Sequence, residues 1–266
     1  MRFSNLHTHS TFSDGKHSPE AIVQSAIEKD FISIGFSDHS YTACDESYCM
    51  RLPQYPVYRQ EILTLKEQYR GQIDVLLGLE LDAYSSADRA DYDYFIASVH
   101  YLCAGGDCYP IDHSRVQQEE CIARLCRGDR IEMAKRYYEL LVEHVIKSKP
   151  DVIGHFDVLT KFGLFDDAGE EYRRVALEAL DAAMKVCPVV EMNTGAISRK
   201  VRTVPYPQDF LLERVRENGG EIMLSADSHA KETLDCHFVE SVADLRGMGF
   251  DHIVYMDATG LHRQEI

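Results

Sequence analysis

Apolar residues in this chain fall into short, near-continuous runs separated by longer stretches where they recur at helical spacing. The runs are FSNLH (3–7), ISIGFSDH (32–39), IDVLLGLELD (73–82), YFIASVH (94–100), DVIGHF (151–156), PVVEMN (188–193) and EIMLSAD (221–227), with HIVYM (252–256) as a candidate eighth. Such runs are expected of strands buried on both faces. Helical patterns fill the gaps. Ser18 and Pro19 open one, serine as N-cap and proline in the first turn, followed by the stripe Ile22, Val23, Ala26, Ile27. Tyr58, Ile62, Leu65 and Tyr69 form another, stopped by Gly71. Asp129 opens a long helix through Lys147, ended by Pro150, and 176–186 and 209–218 read as two more. Strand–helix alternation predicts a parallel sheet with right-handed crossovers. Seven or eight units predict an α/β fold closed as a barrel. An open doubly wound sheet is the competing architecture, but the chain has neither GxGxxG nor GxxxxGK[ST] to support a nucleotide-binding version. Residues 101–130, with GGD, YPIDHS and the basic ARLCRGDR, lack strand character and read as an active-site loop followed by a short helix. No linker or repeat interrupts the pattern, so a single domain over 1–266 is expected.

The ionisable residues sharpen this picture. His7 and His9 stand two apart at the end of the first run, so on a strand they share a face. His39 closes the second run, Glu80 and Asp82 the third, His100 the fourth and His155 the fifth; Glu191 and Asn193 lie in the sixth, and Asp227 and His229 end the seventh. One histidine at a strand end is ordinarily a hydrogen-bonded structural residue. Here six of the chain's twelve fall at successive strand ends, and in a barrel all those ends open on the face that carries the active site. With Asp14, the candidate ligands are His7, His9, Asp14, His39, Glu80, His100, His155, Asp227 and His229. A site takes three or four protein ligands per ion and keeps a place for water, so nine suit two or three divalent ions. Imidazole and carboxylate without thiolate favour Zn, Mn or Fe over Ca or Mg. The histidines at 17, 144, 237, 252 and 262 are read as surface residues.

Composition narrows the partners. With 45 % hydrophobic and 27 % charged residues the chain reads as an ordinary globular protein. It has no apolar run of membrane-spanning length and no signal-peptide pattern at its start, so a cytoplasmic location is expected. The net charge of −16 opposes binding to nucleic acid or an anionic membrane, yet metal ions in an acidic cluster reverse the local sign and still admit phosphate. Of eight cysteines, three pairs share one spacing (44/49, 103/108, 121/126), none that of a zinc knuckle. Free, structural thiols are expected.

The motifs HTHSTFSDG, GFSDHS, GLELD, SVHYL, GHFDVL, EMNTGA and SADSHA, in this order across nearly the whole chain, resemble the PHP (polymerase and histidinol phosphatase) family. YPIDHS and NTGAISRK resemble its histidinol-phosphate phosphatase branch in particular. The resemblance implies a distorted (β/α)7, TIM-like barrel with a trinuclear metal centre. One ion would take His7, His9, Glu80 and Asp227; a second would share Glu80 and take His100 and His155; the third would take Asp14, His39 and His229. Some family members carry histidine where Asp14 stands, and the aspartate makes that third site more anionic. The implied substrate is a small phosphate ester, L-histidinol phosphate.

The chemistry of the residues agrees. Water bridging two cations becomes hydroxide near neutral pH and can attack phosphorus without a serine or cysteine nucleophile. Asp227 is the candidate for proton transfer, with His229 the alternative. Arg199 is the first candidate for a bidentate phosphate contact and Lys161 the second, a solvated surface charge being the competing reading of each. Asn193, Asp112 and His113 are candidates to face the substrate's imidazole or amine. Three other functions compete. The same barrel could act on a nucleotide, sugar phosphate or phosphotyrosine. A metal-dependent amidohydrolase often carries a carbamylated lysine on a mid-barrel strand, and none lies in strands three to five. A non-catalytic module would have lost ligands that are all intact here.

Overall fold

The computed structural model describes residues 1–165 and 169–266. Its strands are β1 (Ser4–Asn5), β2 (Ser33–Phe36), β3 (Asp74–Asp82), β4 (Tyr94–Ser98), β5 (Tyr101–Ala104), β6 (Asp107–Pro110), β7 (Val152–Ile153), β8 (Val189–Asn193), β9 (Glu221–Ser225), β10 (His252–Asp257) and β11 (Gly260–Glu265). The helices are α1 (Pro19–Glu28), α2 (Tyr55–Gln68), α3 (Arg115–Cys126), α4 (Arg130–Ser148), α5 (Gly169–Met184), α6 (Gly195–Ser198), α7 (Asp209–Glu217) and α8 (Phe238–Gly247).

The strands β1, β2, β3, β4, β7, β8 and β9 pair in that order, all parallel. Beyond the last strand the ring closes. Thr8 bridges Ser228 in parallel, His9 N donates to Ser228 O at 2.8 Å, and Ser228 N donates to His7 O at 3.0 Å. This is the distorted (β/α)7 barrel. The eighth run forms β10, which pairs with β9, takes a hydrogen bond from Ser33 Oγ of β2 at Met256 O, and turns back antiparallel as β11, a strand that the hydrophobic pattern did not announce.

Several strands are shorter than the apolar runs that predict them. The cause is local: at the mouth, side chains replace ladder partners. Asn5, fully buried, accepts from His7 N and Ala226 N and donates to Leu234 O, while Ser37 Oγ accepts from Thr8 N. Regular pairing stops where the chain bends to deliver ligands. Glycine inside two strands has a packing cause. A Cβ on Gly35 would stand 2.3 Å from the Tyr94 hydroxyl, and one on Gly78 2.2 Å from the Tyr94 ring. Tyr94, fully buried, crosses the barrel interior to donate to Leu6 O. Helix ends follow the sequence cues: Ser18 Oγ accepts from Ala21 N, and Asp129 accepts from Ile131 N and Glu132 N.

Three expectations are corrected. Residues 101–110 form a β-hairpin, β5 against β6. Its turn is Gly105–Gly106, both at positive φ (64° and 96°), the backbone a two-residue turn demands. Across it Cys103 and Cys108 are disulfide-bonded rather than free, because the register sets them directly opposite each other. His144 is buried on α4, its Nε2 2.7 Å from Leu81 O, and His252 sits in β10 with Nε2 2.6 Å from Glu221. Neither is a free surface residue, since each meets an acceptor on a packed neighbour. Among the described residues no helix is long and apolar enough to cross a membrane.

Candidate metal centre

All nine predicted ligands meet at the C-terminal mouth of the ring. Glu80, on β3 and fully buried, is the hub. Its Oε1 lies 3.3 Å from His7 Nε2, 3.3 Å from His100 Nε2 and 3.0 Å from His155 Nε2. Its Oε2 lies 2.7 Å from His39 Nδ1 and 3.7 Å from His9 Nε2. Asp227 Oδ1 stands 3.2 Å from His9 Nε2 and 3.5 Å from His229 Nδ1. Asp14 joins His39 and His229, at 3.7 and 3.2 Å. Within the cluster, four overlapping sets have ligand atoms close enough to share an ion: His9–Asp14–His39–His229, His7–Glu80–His155, His7–His9–Asp227 and His39–Glu80–His100. These sets resemble the three the family pattern implies, with His7, His9, His39 and Glu80 each belonging to two of the four.

Backbone and neighbours fix these positions. Asp14 reaches the cluster because Asp38 folds the preceding turn, accepting from Ser10 N (2.8 Å), Ser10 Oγ (2.8 Å), Ser13 N (3.0 Å) and Ser13 Oγ (2.6 Å). Gly15 follows because a Cβ there would sit 2.2 Å from His9 O. Asp227 adopts φ 45°, a left-handed backbone that a non-glycine residue rarely holds and that concentrates at functional sites. Gly195 leaves room for Arg199, whose Nη2 a Cβ would meet at 2.9 Å.

The donor set fits metal ions. His7 Nδ1 is 2.8 Å from Glu191 Oε2, and His100 Nδ1 is 3.2 Å from Asp82 Oδ2. A carboxylate on one ring nitrogen orients the other toward a cation. His7 Nε2 is buried without a hydrogen bond, as are both ring nitrogens of His9 and His155 Nδ1. Buried polar atoms without partners are costly, so the set is incomplete without a Lewis acid.

The electrostatics point the same way. Burial alone would lower the pKa of His7, but Glu191, Glu80 and Asp227 outweigh it and hold it well above its ordinary value. Burial likewise opposes, and Glu80 overrides, for His39 and His100, both raised. His9 goes the other way, to about 3, through burial and the neighbouring His39 and His229. Against burial, His39, His7 and His100 hold Glu80 well below the carboxylate range, and Arg199 and His7 do the same for Asp227.

The cluster opens into a cavity of about 350 Å³. Arg199, Lys161, Asp112 and His113 line it as predicted, with Tyr48 and Tyr206, which the sequence did not single out. Arg199 Nη2 pairs with Asp227 Oδ2 at 2.9 Å and its Nη1 lies 3.1 Å from His229 Nδ1. Lys161 Nζ pairs with Asp112 Oδ2 at 3.1 Å, so neither cation is a solvated surface charge. Asn193 is corrected. Fully buried, it donates to Glu191 and accepts from Gly195 N, which puts it behind the wall rather than facing a substrate. Glu191, Asp38 and Asp82 were visible at strand ends, but the sequence did not tell support from ligand. A larger, more open groove of about 970 Å³ adjoins the cavity and shares Lys161, but carries none of the clustered histidines.

Residues 5–195 match the family model described as PHP domain. A Deinococcus radiodurans protein named "Probable histidinol-phosphatase" is 29 % identical over 260 residues, 92 % of this chain and 93 % of that one. A Lactococcus lactis subsp. lactis histidinol-phosphatase is 26 % identical over 244 residues, 86 % of this chain and 85 % of that one. The crystal structure of histidinol phosphate phosphatase from L. lactis, complexed with zinc, L-histidinol and phosphate, has a TM-score of 0.70 at 23 % identity, covering 98 % of this chain and 99 % of that one; this is a likeness of fold.

Proposed function

This chain belongs to the PHP domain family, and from that premise we propose that it hydrolyses L-histidinol phosphate to L-histidinol and inorganic phosphate, a step of histidine biosynthesis. The observation that carries the reading is the convergence of nine imidazole and carboxylate ligands around Glu80, in a cavity that also presents Arg199, Lys161 and Asp112. The curated relatives that share most of the chain bear the same activity in their names.

Two or three divalent ions (Zn, Mn or Fe) would be held by His7, His9, Asp14, His39, Glu80, His100, His155, Asp227 and His229. Bound there, they supply positive charge for phosphate oxygens and lower the pKa of coordinated water. The remaining work falls to the chain. The Arg199 guanidinium faces the cavity and binds phosphate oxygens as they gain charge. Lys161 adds a second cation beside it. Asp227, ionised at neutral pH, accepts the proton of the attacking water at Oδ1. His229, whose Nδ1 stands 3.5 Å from Asp227 Oδ1, is the alternative group for that proton transfer. Asp112 Oδ1 is buried without a hydrogen-bond partner, and with His113 it receives the substrate's ammonium or imidazole. We take residues 1–266 as one domain, because the ring's last strand and the ligands Asp227 and His229 lie beyond the matched span. A cytoplasmic setting, with a small molecule as partner rather than nucleic acid or membrane, accords with the net charge of −16.

The test is phosphate release by purified, metal-loaded protein from a panel of esters. Histidinol phosphate should be preferred over nucleotides, sugar phosphates and phosphotyrosine by a wide margin in kcat/KM. Equal turnover of nucleotides would sink the specific assignment and leave a general phosphoesterase.

A further inference from the structure

Outside the histidine cluster, three sulfurs meet where the loop after β2 touches the β5–β6 hairpin. Cys44 lies in the loop after β2, and Cys103 and Cys108 face each other on β5 and β6. Cys44 Sγ is 3.2 Å from Cys108 Sγ and 3.5 Å from Cys103 Sγ, and all three residues are half-buried. Tyr101 of the hairpin donates to Asp45 of the loop at 2.9 Å, so loop and hairpin are already in register. Cys49, by contrast, donates to backbone carbonyls and stays apart from the trio.

The near-equal distances set Cys44 beside the disulfide, not at its end. Thiol–disulfide exchange needs the attacking sulfur in line with the bond that breaks, and this arrangement does not offer that. A triangle of sulfurs is instead the face a thiophilic cation occupies. Zinc–thiolate bonds of about 2.3 Å set tetrahedral sulfurs roughly 3.8 Å apart, within about 0.6 Å of both gaps to Cys44. Soft thiolates select zinc or copper(I) over calcium and magnesium.

We propose that, with the hairpin disulfide reduced, Cys44, Cys103 and Cys108 form a trithiolate site for a soft cation of the zinc, cadmium or copper(I) class. The site clasps the loop carrying Tyr48 to the hairpin that leads into Asp112 and His113. To open it, a dithiol gives two electrons and two protons and becomes its own disulfide, while the Cys103–Cys108 bond breaks to two thiols. As the cation binds, the three thiols release their protons to solvent. The carboxylates of Asp45 and Asp82 add to the field that favours a cation here.

The experiment is a Cd²⁺ titration of the full chain, reduced with a dithiol that is then removed under anaerobic conditions. The readout is thiolate-to-cadmium charge-transfer absorption, which imidazole and carboxylate ligands do not produce. The band should saturate at one sulfur-bound cadmium per chain, over and above what the histidine cluster takes up. Cys44→Ser and, separately, Cys103→Ser should each weaken sulfur-site affinity by roughly tenfold or more. Cys121→Ser and Glu80→Gln should leave the band in place, which shows that it is neither a generic thiol nor the histidine cluster. A reduced wild-type protein with no saturable band, or a band that either Cys44→Ser or Cys103→Ser leaves unchanged, overturns the proposal.

Discussion

The mouth of this barrel has two parts built in different ways. The inner part is the ligand cluster, most of whose side chains leave the ends of paired strands and are buried, with Asp14 exposed on the turn after β1 and His229 half-buried. The outer part is the rim of Tyr48, Tyr101, Asp112, His113 and Lys161, carried by loops and a hairpin. In the cluster, position follows from strand register, and buried nitrogens stand without hydrogen bonds. In the rim, position follows from one loop meeting another, and the charged groups pair among themselves, as Lys161 does with Asp112. The contrast assigns chemistry to the strand ends and substrate choice to the loops.

Substitution should separate the two. Glu80→Gln removes the hub that touches His7, His9, His39, His100 and His155. The account expects loss of bound metal and a fall in kcat on the order of 10³-fold, since metal-ion charge stabilisation is worth several kcal/mol. Steady-state kinetics with metal analysis of the same sample checks this. Glu191→Gln acts one step behind, through the 2.8 Å contact to His7 Nδ1. Carboxylates in that position typically govern about 10–100-fold in metal affinity, so a chelator-competition titration should show weaker binding in that range. If this variant behaved like a rim variant, the boundary drawn here would be misplaced.

The same contrast explains what the sequence could tell. Eight of the nine candidate ligands were legible because parallel strands put their C-terminal ends on one face, so a residue type at the end of an apolar run already carries a location; Asp14, on the turn after the first run, is the exception. The roles of Glu191 and Asp82 were not, since whether a carboxylate faces the ion or the back of a histidine depends on distances of a few ångströms across the ring. Asn193 failed for that reason. Tyr48 and the β5–β6 hairpin were invisible for another. Neither follows a hydrophobic period, and the pairing that sets Cys103 against Cys108 comes from the Gly105–Gly106 turn. Apolar runs outrunning their strand pairing, as at β1 and β7, reflect side chains taking over from the ladder, Asn5 at the first and Glu191, which accepts from His155 N, at the second.

Smaller effects sharpen the comparison from the rim side. Asp112→Asn removes a buried charge facing the substrate's cation while leaving the ligands untouched. Losing one hydrogen bond to a charged group, about 1.5–3 kcal/mol, should raise KM for histidinol phosphate roughly tenfold or more with kcat changed little. A large fall in kcat with unchanged KM would move Asp112 into the inner part.

Protons should report the cluster alone. In the metal-free fold His7, His39 and His100 have pKa values raised above the ordinary 6.5, so near pH 7 they retain protons that a free imidazole would largely have lost. A cation must displace them. Adding Zn²⁺ to metal-free protein in weak buffer at pH 7 should therefore release protons, and affinity should climb as pH rises through that range. His9, lowered to about 3, should contribute nothing. Asp112→Asn should reduce this release only slightly, since Asp112 is a lesser contributor than Glu80 and Asp82 to holding the His100 proton, and a release abolished by that rim variant would break the division.

The most direct test of the central claim is elemental analysis of purified Cys44→Ser protein, in which the sulfur site is disabled, coupled to phosphate release from histidinol phosphate. The account expects two to three divalent ions per chain and turnover that disappears with their removal and returns with their restoration. One ion or none per chain, with turnover intact, would contradict it.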